Sequence, residues 1–524
     1  MSRFRLTPAA KILCLLVVVA IIGTGVFFGF KNGMIKNDLG DKKPITSSSP
    51  VSASSSTEKE DTAVTNDSST INLSLDEWIG WKPIIDANQG LTTQPGSIFD
   101  ELGLDVKINI INDATQSSNA LISGDLQAAG YTTNRVAFLS KKFQDAKFDV
   151  VMPYFSNYSN GGDGIIASTN FADINTWTNA RIGVPSFSEA ETLVAWFVQK
   201  SDLSESDKTK ILDNLIMFDT PDDAAKAFFA GQIDVAATWE PYLSQAEEST
   251  NSVIVFDTTA SSSLIMDGIV FDADWASAHP DTVSKFIDGC LQASALYTTD
   301  FDSIRAVMPM YSTATDESIA SDCANAKLAT WADNKTILAE TAPTVYGDMC
   351  GIWESLGETV NNDLVNTVFD SSYIDSLSDK YQASSTTSTS MEVTAEQKEA
   401  AIDYSAMLTK SATVNFVADT AKFLDQAEAA ATLNEFVEIA KTLDGSIIQI
   451  EGNINMVGES NEVGEKLSYE RANTVANYLI SQGIDGNRIV IVGNGNRKMI
   501  GDPNTEEGKI ANRRTDVMFK MVEG

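Results

Sequence analysis

Two short stretches of this 524-residue chain end in side chains suited to holding a small molecule. In "ALISGDLQAAGYTT" (120–133) a helix end closed by Gly124 leads into a short strand that delivers Tyr131, Thr132 and Thr133 to its carboxyl end. "AFFAGQIDVAATWE" (227–240) repeats the pattern with Gly231 and delivers Trp239 and Glu240. Rings, hydroxyls and a carboxylate of this kind hold a ligand by stacking and hydrogen bonding. Bond-making chemistry asks for more. The single histidine, His279 in "ASAHPDTV", has no second imidazole to work with, which argues against zinc hydrolase and Ser-His-Asp chemistry. No spacing marks out a carboxylate pair as acid and base. The expectation is a binding protein, not an enzyme, with no cofactor and no metal.

The elements that position these residues are legible around them. The helix before the second unit opens with "DTPDDAAKAF", where Thr220 can cap, Pro221 suits the first helical position and Asp223 completes a capping-box-like pattern. Apolar strand-like runs such as "VKINII", "FDVVMPYF", "GIIAS", "ARIGVP" and "VIVFDT" alternate with amphipathic helices, which predicts α/β layers around mainly parallel sheet. The same helix–strand unit occurs once in each half of this region. Ligands in open α/β sheets sit outside the carboxyl ends of strands, so two facing units describe a two-lobed body with a cleft.

Charge and length bound the rest. Lys and Arg total 37 against 72 Asp and Glu, a net charge of −35 with no basic block beyond the extreme N-terminus, so nucleic acid is not an expected partner. Arg3, Arg5 and Lys11 precede an apolar run from Ile12 to Phe30, about 28 Å of helix at roughly 1.5 Å per residue. This predicts residues 12–30 as an uncleaved transmembrane signal anchor behind a cytoplasmic stub, 1–11, with the bulk of the chain outside the cell membrane. Three cysteines follow the run, Cys290, Cys323 and Cys350, enough for at most one internal disulfide. Residues 31–70 form a Ser/Thr-rich tether that cannot bury enough surface to order itself, and 382–402 repeats that character as a linker. The expected body is 71–381 and the expected terminal domain 403–524.

The body resembles the periplasmic solute-binding proteins of the nitrate, sulfonate, taurine and pyrimidine-precursor group of ABC importers. The resemblance rests on an ordered set of motifs: "WIGWKP", "AAGYTTNRVAFL", "NYSNGGDGIIAS", "ARIGVPSFSEAETLVAWFVQ", "AGQIDVAATWEPYLSQA" and "IMDGIVF". It implies a type II periplasmic-binding-protein fold whose cleft is lined by Trp78, Trp81, Tyr131, Thr132, Thr133, Ser159, Asn160, Asp163, Ser186, Ser188, Glu189, Trp239, Glu240 and Asp267. It implies a free helix N-terminus after Ser188 that can receive an anion. Against that, Asp163, Glu189, Glu240 and Asp267 put four carboxylates near one cleft. If two face inward, a bare anion is repelled and an amine, a zwitterion or a hydrogen-bonding heterocycle is favoured.

In the terminal domain "IIQIEGNINMVG" (447–458) runs a strand into a glycine and a loop with two asparagines. From 413 onward "TVNFVADTAKF" and its sequel read as strand, helix, strand, helix, strand and a last strand, an α/β sandwich. In "YERANTVANYLISQ" Ala472, Val475, Ala476 and Leu479 form one apolar stripe, and Gly483 stops the helix. The segment resembles the OmpA-like peptidoglycan-binding domain through "LSYERA", "GIDGNRI", "GNG" and "NRR". The resemblance implies that Arg471, Arg513 and Arg514 belong to a peptidoglycan site. Where that family ends its strand Gly-His-Thr-Asp, this chain has "GNIN", so Asn453 replaces the histidine and Asn455 the aspartate. Losing that charge removes on the order of 1–2 kcal/mol, about tenfold in affinity. Weakened wall binding, a modified stem peptide and a domain kept for docking all fit.

Together these readings describe a membrane-anchored importer component for a small organic solute of the sulfonate, taurine or pyrimidine-precursor kind. Its expected partners are an ABC permease, peptidoglycan and the membrane. The alternatives are a wall-to-membrane scaffold without a solute, and a sensor that signals to a membrane partner.

Overall fold

The computed structural model describes residues 69–382 and 393–522. The predicted anchor and most of the tether lie outside the described residues, and among those described no helix is long and apolar enough to cross a membrane.

The chain lays down β1 (Ile71–Leu75), β2 (Val106–Ile110), β3 (Ala128–Thr132) and β4 (Val150–Ser159), then crosses to a second sheet. There it forms β5 (Asp163–Ser168), β6 (Ile182–Pro185), β7 (Ile216–Phe218), β8 (Val235–Trp239) and β9 (Ser252–Asp257), and returns to add β10 (Met266–Asp272) and β11 (Ala326–Leu328) to the first. The strand orders are β11-β4-β10-β3-β1-β2 and β7-β6-β8-β5-β9. The expectation of mainly parallel sheet is corrected. β1 pairs in parallel with β2 and β3, but β10 runs antiparallel between β3 and β4. In the second sheet β6 is parallel to β7 and β8, while β5 is antiparallel to both β8 and β9. The reason is connectivity: β5 and β10 are the strands that enter from the other lobe, and they arrive in the opposite sense.

The helices that matter for the cleft carry side-chain caps, at Thr220 as the sequence predicts. α1 (Ala114–Ser123) ends on Gly124 in the left-handed region. α2 (Thr133–Ala146) is capped by Thr132, whose Oγ1 accepts from the Arg135 N–H. α3 (Glu189–Lys200) is capped by Ser188, and α4 (Pro221–Phe229) by Thr220 with proline in its first turn. Each cap answers a backbone donor that a helix start leaves open. α5 (Tyr242–Glu248) follows β8.

The two crossovers are tied to each other. Thr258 Oγ1 lies 2.8 Å from Ser159 Oγ and accepts from the Gly161 N–H at 2.8 Å. Gly161 has φ +90°, and a Cβ on Gly162 would meet the Trp78 ring at 2.6 Å.

The stretch expected as linker ends in a helix, α6 (Ala395–Ala401), whose Ala401 carbonyl accepts from Lys520 Nζ at 2.6 Å. The terminal domain then runs β12 (Leu408–Ala412), α7 (Gln426–Thr442), β13 (Ile447–Gly452), α8 (Glu462–Ser481), β14 (Ile489–Gly493), α9 (Glu506–Asn512) and β15 (Thr515–Lys520), in sheet order β12-β15-β13-β14. The first strand lies upstream of the expected one. "TVNFVAD" instead begins a loop closed by a bridge between Phe416 and Phe423. The α8 stripe of Ala472, Val475, Ala476 and Leu479 is buried.

This domain packs on the return crossover. Ser261 Oγ donates to the Thr442 carbonyl at 2.6 Å, the Ser262 N–H donates to Asp444 at 2.8 Å, and the Gly445 N–H donates to the Ala260 carbonyl at 2.9 Å. A Cβ on Gly445 would meet the Thr259 carbonyl at 2.1 Å, so the approach requires glycine. Lobe 2, built on the second sheet as lobe 1 is on the first, adds Asp202, which accepts from the Ser411 N–H at 2.6 Å and faces Lys410 at 3.7 Å.

Candidate functional site

The cleft gathers at the carboxyl edge of the first sheet. Asp267, at the start of β10, pairs in register with Thr132 at the end of β3 and with Asn157 near the end of β4. Asp76 follows β1 directly and accepts from Trp81 Nε1 at 2.6 Å. From lobe 2, Asp163 opens β5 and Glu189 opens α3. Thr132 Oγ1 donates to Glu189 at 2.7 Å, Arg135 Nη2 donates to the same carboxylate at 2.7 Å, and Asn134 Nδ2 donates to Thr192 Oγ1 at 2.8 Å. These three contacts join the lobes. Arg135 also faces Asp76 at 3.9 Å.

Two of the four carboxylates, Glu189 and Asp76, share one guanidinium, and the electrostatics reflect the excess of acid. Burial pushes Asp163 up to about 7, with Glu189 and Asp76 adding to the rise against the Ser159 hydrogen bond. Asp267 is pushed well above the usual carboxylate range by burial and then by Asp76, Glu189 and Asp163. Asp76 is raised by burial, and the Arg135 charge opposes that rise. Burial works against the charge on Arg135, but Glu189 and Asp76 more than offset it and leave its pKa raised. Among the described residues, Asp267 Oδ2, Asn157 Nδ2, Thr133 Oγ1 and Arg135 Nε are buried without a hydrogen-bond partner. Orphaned polar atoms of this kind are costly and mark a place where something else belongs.

The other residues of the sequence reading are placed as follows. Trp78 is half-buried at the crossover and donates to Asn157 Oδ1 at 2.9 Å. Trp81 is buried at 1% exposure, so it positions Asp76 and offers no open face. Tyr131 is buried with its hydroxyl 2.8 Å from Ser117 Oγ. Ser159 donates to Asp163 at 2.7 Å, and Asn160 turns to the Ala324 carbonyl. Trp239 is exposed and donates to Asp222, and Glu240 accepts from the Ser244 N–H and hydroxyl at the start of α5. Glu240 is therefore engaged away from the other four carboxylates. Ser186 is exposed. Ser188 caps α3, and Glu191 reaches back to the Phe187 N–H at 2.5 Å. The expected anion seat at this helix start is corrected: its own acidic side chains, Glu189 and Glu191, occupy the first turn. His279 stacks on Trp275 with ring centroids 4.6 Å apart. Cys290, Cys323 and Cys350 are buried and unpaired.

Asp76, Arg135 and Asn157 were not foreseen. Asp76 carried a signal, an acid directly after the strand in "INLSLDEW", and Arg135 was the one cation in "TTNRVAF".

The terminal domain holds a cavity of about 650 Å³ lined by Phe416, Asp419, Asn453, Asn455, Arg471, Arg513 and Arg514, among others. Arg471 Nε donates to the Thr420 carbonyl at 3.0 Å and its guanidinium lies 4.9 Å over the Phe416 ring. Arg513 is exposed, while Arg514 is spent on Asp516 at 2.9 Å and the Lys498 carbonyl. Asn453 donates to Asp516 at 2.9 Å and accepts from Asn494 at 3.0 Å. Asn455 accepts from Asn512 Nδ2 at 3.0 Å and donates to the Pro503 carbonyl at 3.2 Å. Both asparagines therefore hold the loops around the cavity together. An aspartate at 455 could keep the first bond of that residue and not the second.

Residues 96–300 match the family model described as NMT1/THI5 like, and residues 415–513 match the OmpA family. Outer membrane protein A of Bordetella avium is 35% identical over 111 residues, 20% of this chain and 57% of that protein. Outer membrane porin F of Pseudomonas aeruginosa is 31% identical over 87 residues, 16% of this chain and 25% of that protein. The chain thus spans little more than half the length of the first and a quarter of the second. Among solved structures, the periplasmic aliphatic sulphonate binding protein SsuA from Escherichia coli aligns with 59% of this chain and 99% of its own, at 14% identity and a TM-score of 0.45. The periplasmic nitrate-binding protein NrtA from Synechocystis PCC 6803 aligns over 59% and 99%, at 13% identity and 0.39. Likeness at this level speaks to neither ligand nor mechanism. The chain carries an NMT1/THI5-like domain followed by an OmpA-family domain.

Proposed function

We propose that this protein is an exported solute-binding component of an importer, held at the membrane by residues 12–30 and at the cell wall by its terminal domain. The observation that carries the reading is the set of orphaned polar atoms between the lobes, on Asp267, Asn157, Thr133 and Arg135. A scaffold has no use for unpaired groups between its lobes; a binding protein completes them with its ligand. Lobe closure over the solute would present the closed form to a permease. Tethering at both ends raises the local concentration of the binding protein there.

A thermal-shift screen of the full chain against small sulfonates, amines, amino acids and pyrimidines tests this. A ligand at a hundred times its Kd adds about 2.7 kcal/mol of stability. If no compound of any class raises the melting temperature, the scaffold reading replaces this one.

For the wall, the exposed Arg513 and the stacked Arg471 offer positive charge to a stem-peptide carboxylate, without the aspartate that the OmpA-like pattern places at 455. Asn455→Asp is expected to increase co-sedimentation with purified peptidoglycan about tenfold, while lowering the melting temperature through the lost Pro503 contact. Unchanged co-sedimentation would turn the domain toward docking.

A further inference from the structure

We infer that the cleft takes a small organic cation, a protonated amine or an amidinium, and discriminates against anions. This rests on the solute-binding reading above and narrows it. The first ground is composition in space: Asp76, Asp163, Glu189 and Asp267 come from the end of β1, β5, α3 and β10, and among the described residues the cation beside them, Arg135, is bonded to Glu189 and lies 3.9 Å from Asp76, with its Nε alone left over. An anion would have to take Arg135 away from two carboxylates while lying beside two more. The second ground is an acceptor without a donor. Asp267 is 5% exposed, and its Oδ2 has no hydrogen-bond partner. A carboxylate oxygen in that position is satisfied by an N–H donor, and an ammonium or amidinium brings several. The third ground is the helix start at α3, where an anion would be expected to sit. Glu189 and Glu191 fill its first turn, and the Phe187 N–H is bonded by Glu191.

Among the described residues no group of acidic, imidazole or thiol side chains is spaced to hold a metal ion, which points the site to a molecule that reaches its acceptors through hydrogen bonds. The half-buried Trp78 ring stands at the crossover, beside Gly162, as a surface for a cation or a flat amidinium. Asn157 Nδ2, Arg135 Nε and Thr133 Oγ1 are left to meet acceptor atoms of the same ligand. The ligand is thus a cation with at least one hydrogen-bond acceptor or a hydroxyl.

Proton linkage follows. The groups facing Asp163 are Ser159 on β4, Asp76 after β1, Glu189 on α3 and Asp267 on β10, with Arg135 on α2 behind them. Burial raises Asp163 to about 7 and moves Asp267 in the same direction, so the unliganded cleft takes up protons more readily than free carboxylates do. A cation favours their charged forms, so binding releases protons and tightens as pH rises.

The test is titration calorimetry of the full chain at pH 6 and pH 8, in two buffers of different ionisation enthalpy. The probes are agmatine, putrescine and benzamidine as cations, ethanesulfonate and nitrate as anions, and calcium chloride alone. The expected result is binding of at least one organic cation, about tenfold tighter at pH 8 than at pH 6, with proton release and no measurable binding of either anion. Asp267→Asn should weaken that cation about tenfold or more and reduce the proton release; Glu189→Gln is the second variant, in case the first disturbs folding. Binding of ethanesulfonate or nitrate in place of the cations overturns the inference and leaves the solute-binding reading standing. Calcium binding without the organic cations, or cation binding indifferent to pH and to both variants, also overturns it. If no probe binds and the wider screen is silent too, the solute-binding reading falls and takes the inference with it.

Discussion

Arg488→Met is expected to destabilise the terminal domain by about 3–5 kcal/mol, the largest single effect anticipated there. Arg488 is 4% exposed. Its guanidinium donates to the Ser446 carbonyl at 2.8 Å, the Ala440 carbonyl at 3.1 Å and the Leu443 carbonyl, and reaches Ser446 Oγ at 3.2 Å. It therefore satisfies the carbonyls that α7 leaves open where it ends, a place with no glycine cap. Burial lowers its pKa to about 10 despite Asp444 and Asp485, so it is fully charged at neutrality. Methionine comes close in volume and removes the donor from the Ala440 and Ser446 carbonyls, while Leu443 keeps the Ser446 N–H and hydroxyl. Hydrogen exchange of the full chain should show protection lost across 440–450 while β1 to β4 keep theirs. Equal protection in the variant and the parent would mean that the turn stands without the arginine.

The second large effect is expected at Arg135. Arg135→Met removes the guanidinium shared by Glu189 and Asp76 and cuts one of the contacts that join the lobes. The predicted loss is about 2–3 kcal/mol, below the usual cost of breaking a buried pair because Asp76 is partly open to water. The sign of its pH dependence follows from protons. Asp76, Asp163 and Asp267 have raised pKa values when folded, so the folded chain binds more protons than the unfolded one above the ordinary carboxylate range. Each of these groups therefore favours the folded state at low pH, and that advantage is lost as pH rises, through about 7 for Asp163. Without Arg135 the rise at Asp76 is steeper still. The variant should lie closer to the parent at pH 5 than at pH 8. A penalty equal at both pH values would show that Arg135 matters for packing and not for charge.

The units around Gly124 and Gly231 were legible because each encodes its stop and its strand within fourteen residues. So was the cap at Thr220, which answers a donor three residues away. What depends on distant chain was not legible. The antiparallel entry of β10 follows from the crossover, and no local pattern in "IMDGIVF" specifies strand direction. Trp81 reads the same whether it faces solute or core; its partner Asp76 and the packing beneath decide. The link between Arg135 and Glu189 spans 54 residues, so neither residue announces the other. Glu240 looks like a cleft acid until Ser244 accounts for both of its oxygens. The first terminal strand was missed because "LTKSA" is a polar edge strand, whose place beside β15 comes from its partner and not from its own side chains.

The seat of the terminal domain on the return crossover bears on which half of the molecule would swing in the proposed closure. The hydrogen bonds and ion pairs described for that seat fall on 260–262 and on Asp202, that is, on the pivot and on lobe 2. If the lobes open and close as proposed and the terminal domain is moored, lobe 2 is moored with it and the excursion falls to lobe 1. Tension in the mooring then acts close to the axis of rotation, where its moment arm is short. A pull from the wall would load the pivot while scarcely turning the lobes, and the protein could stay stretched between two surfaces and still open and close freely.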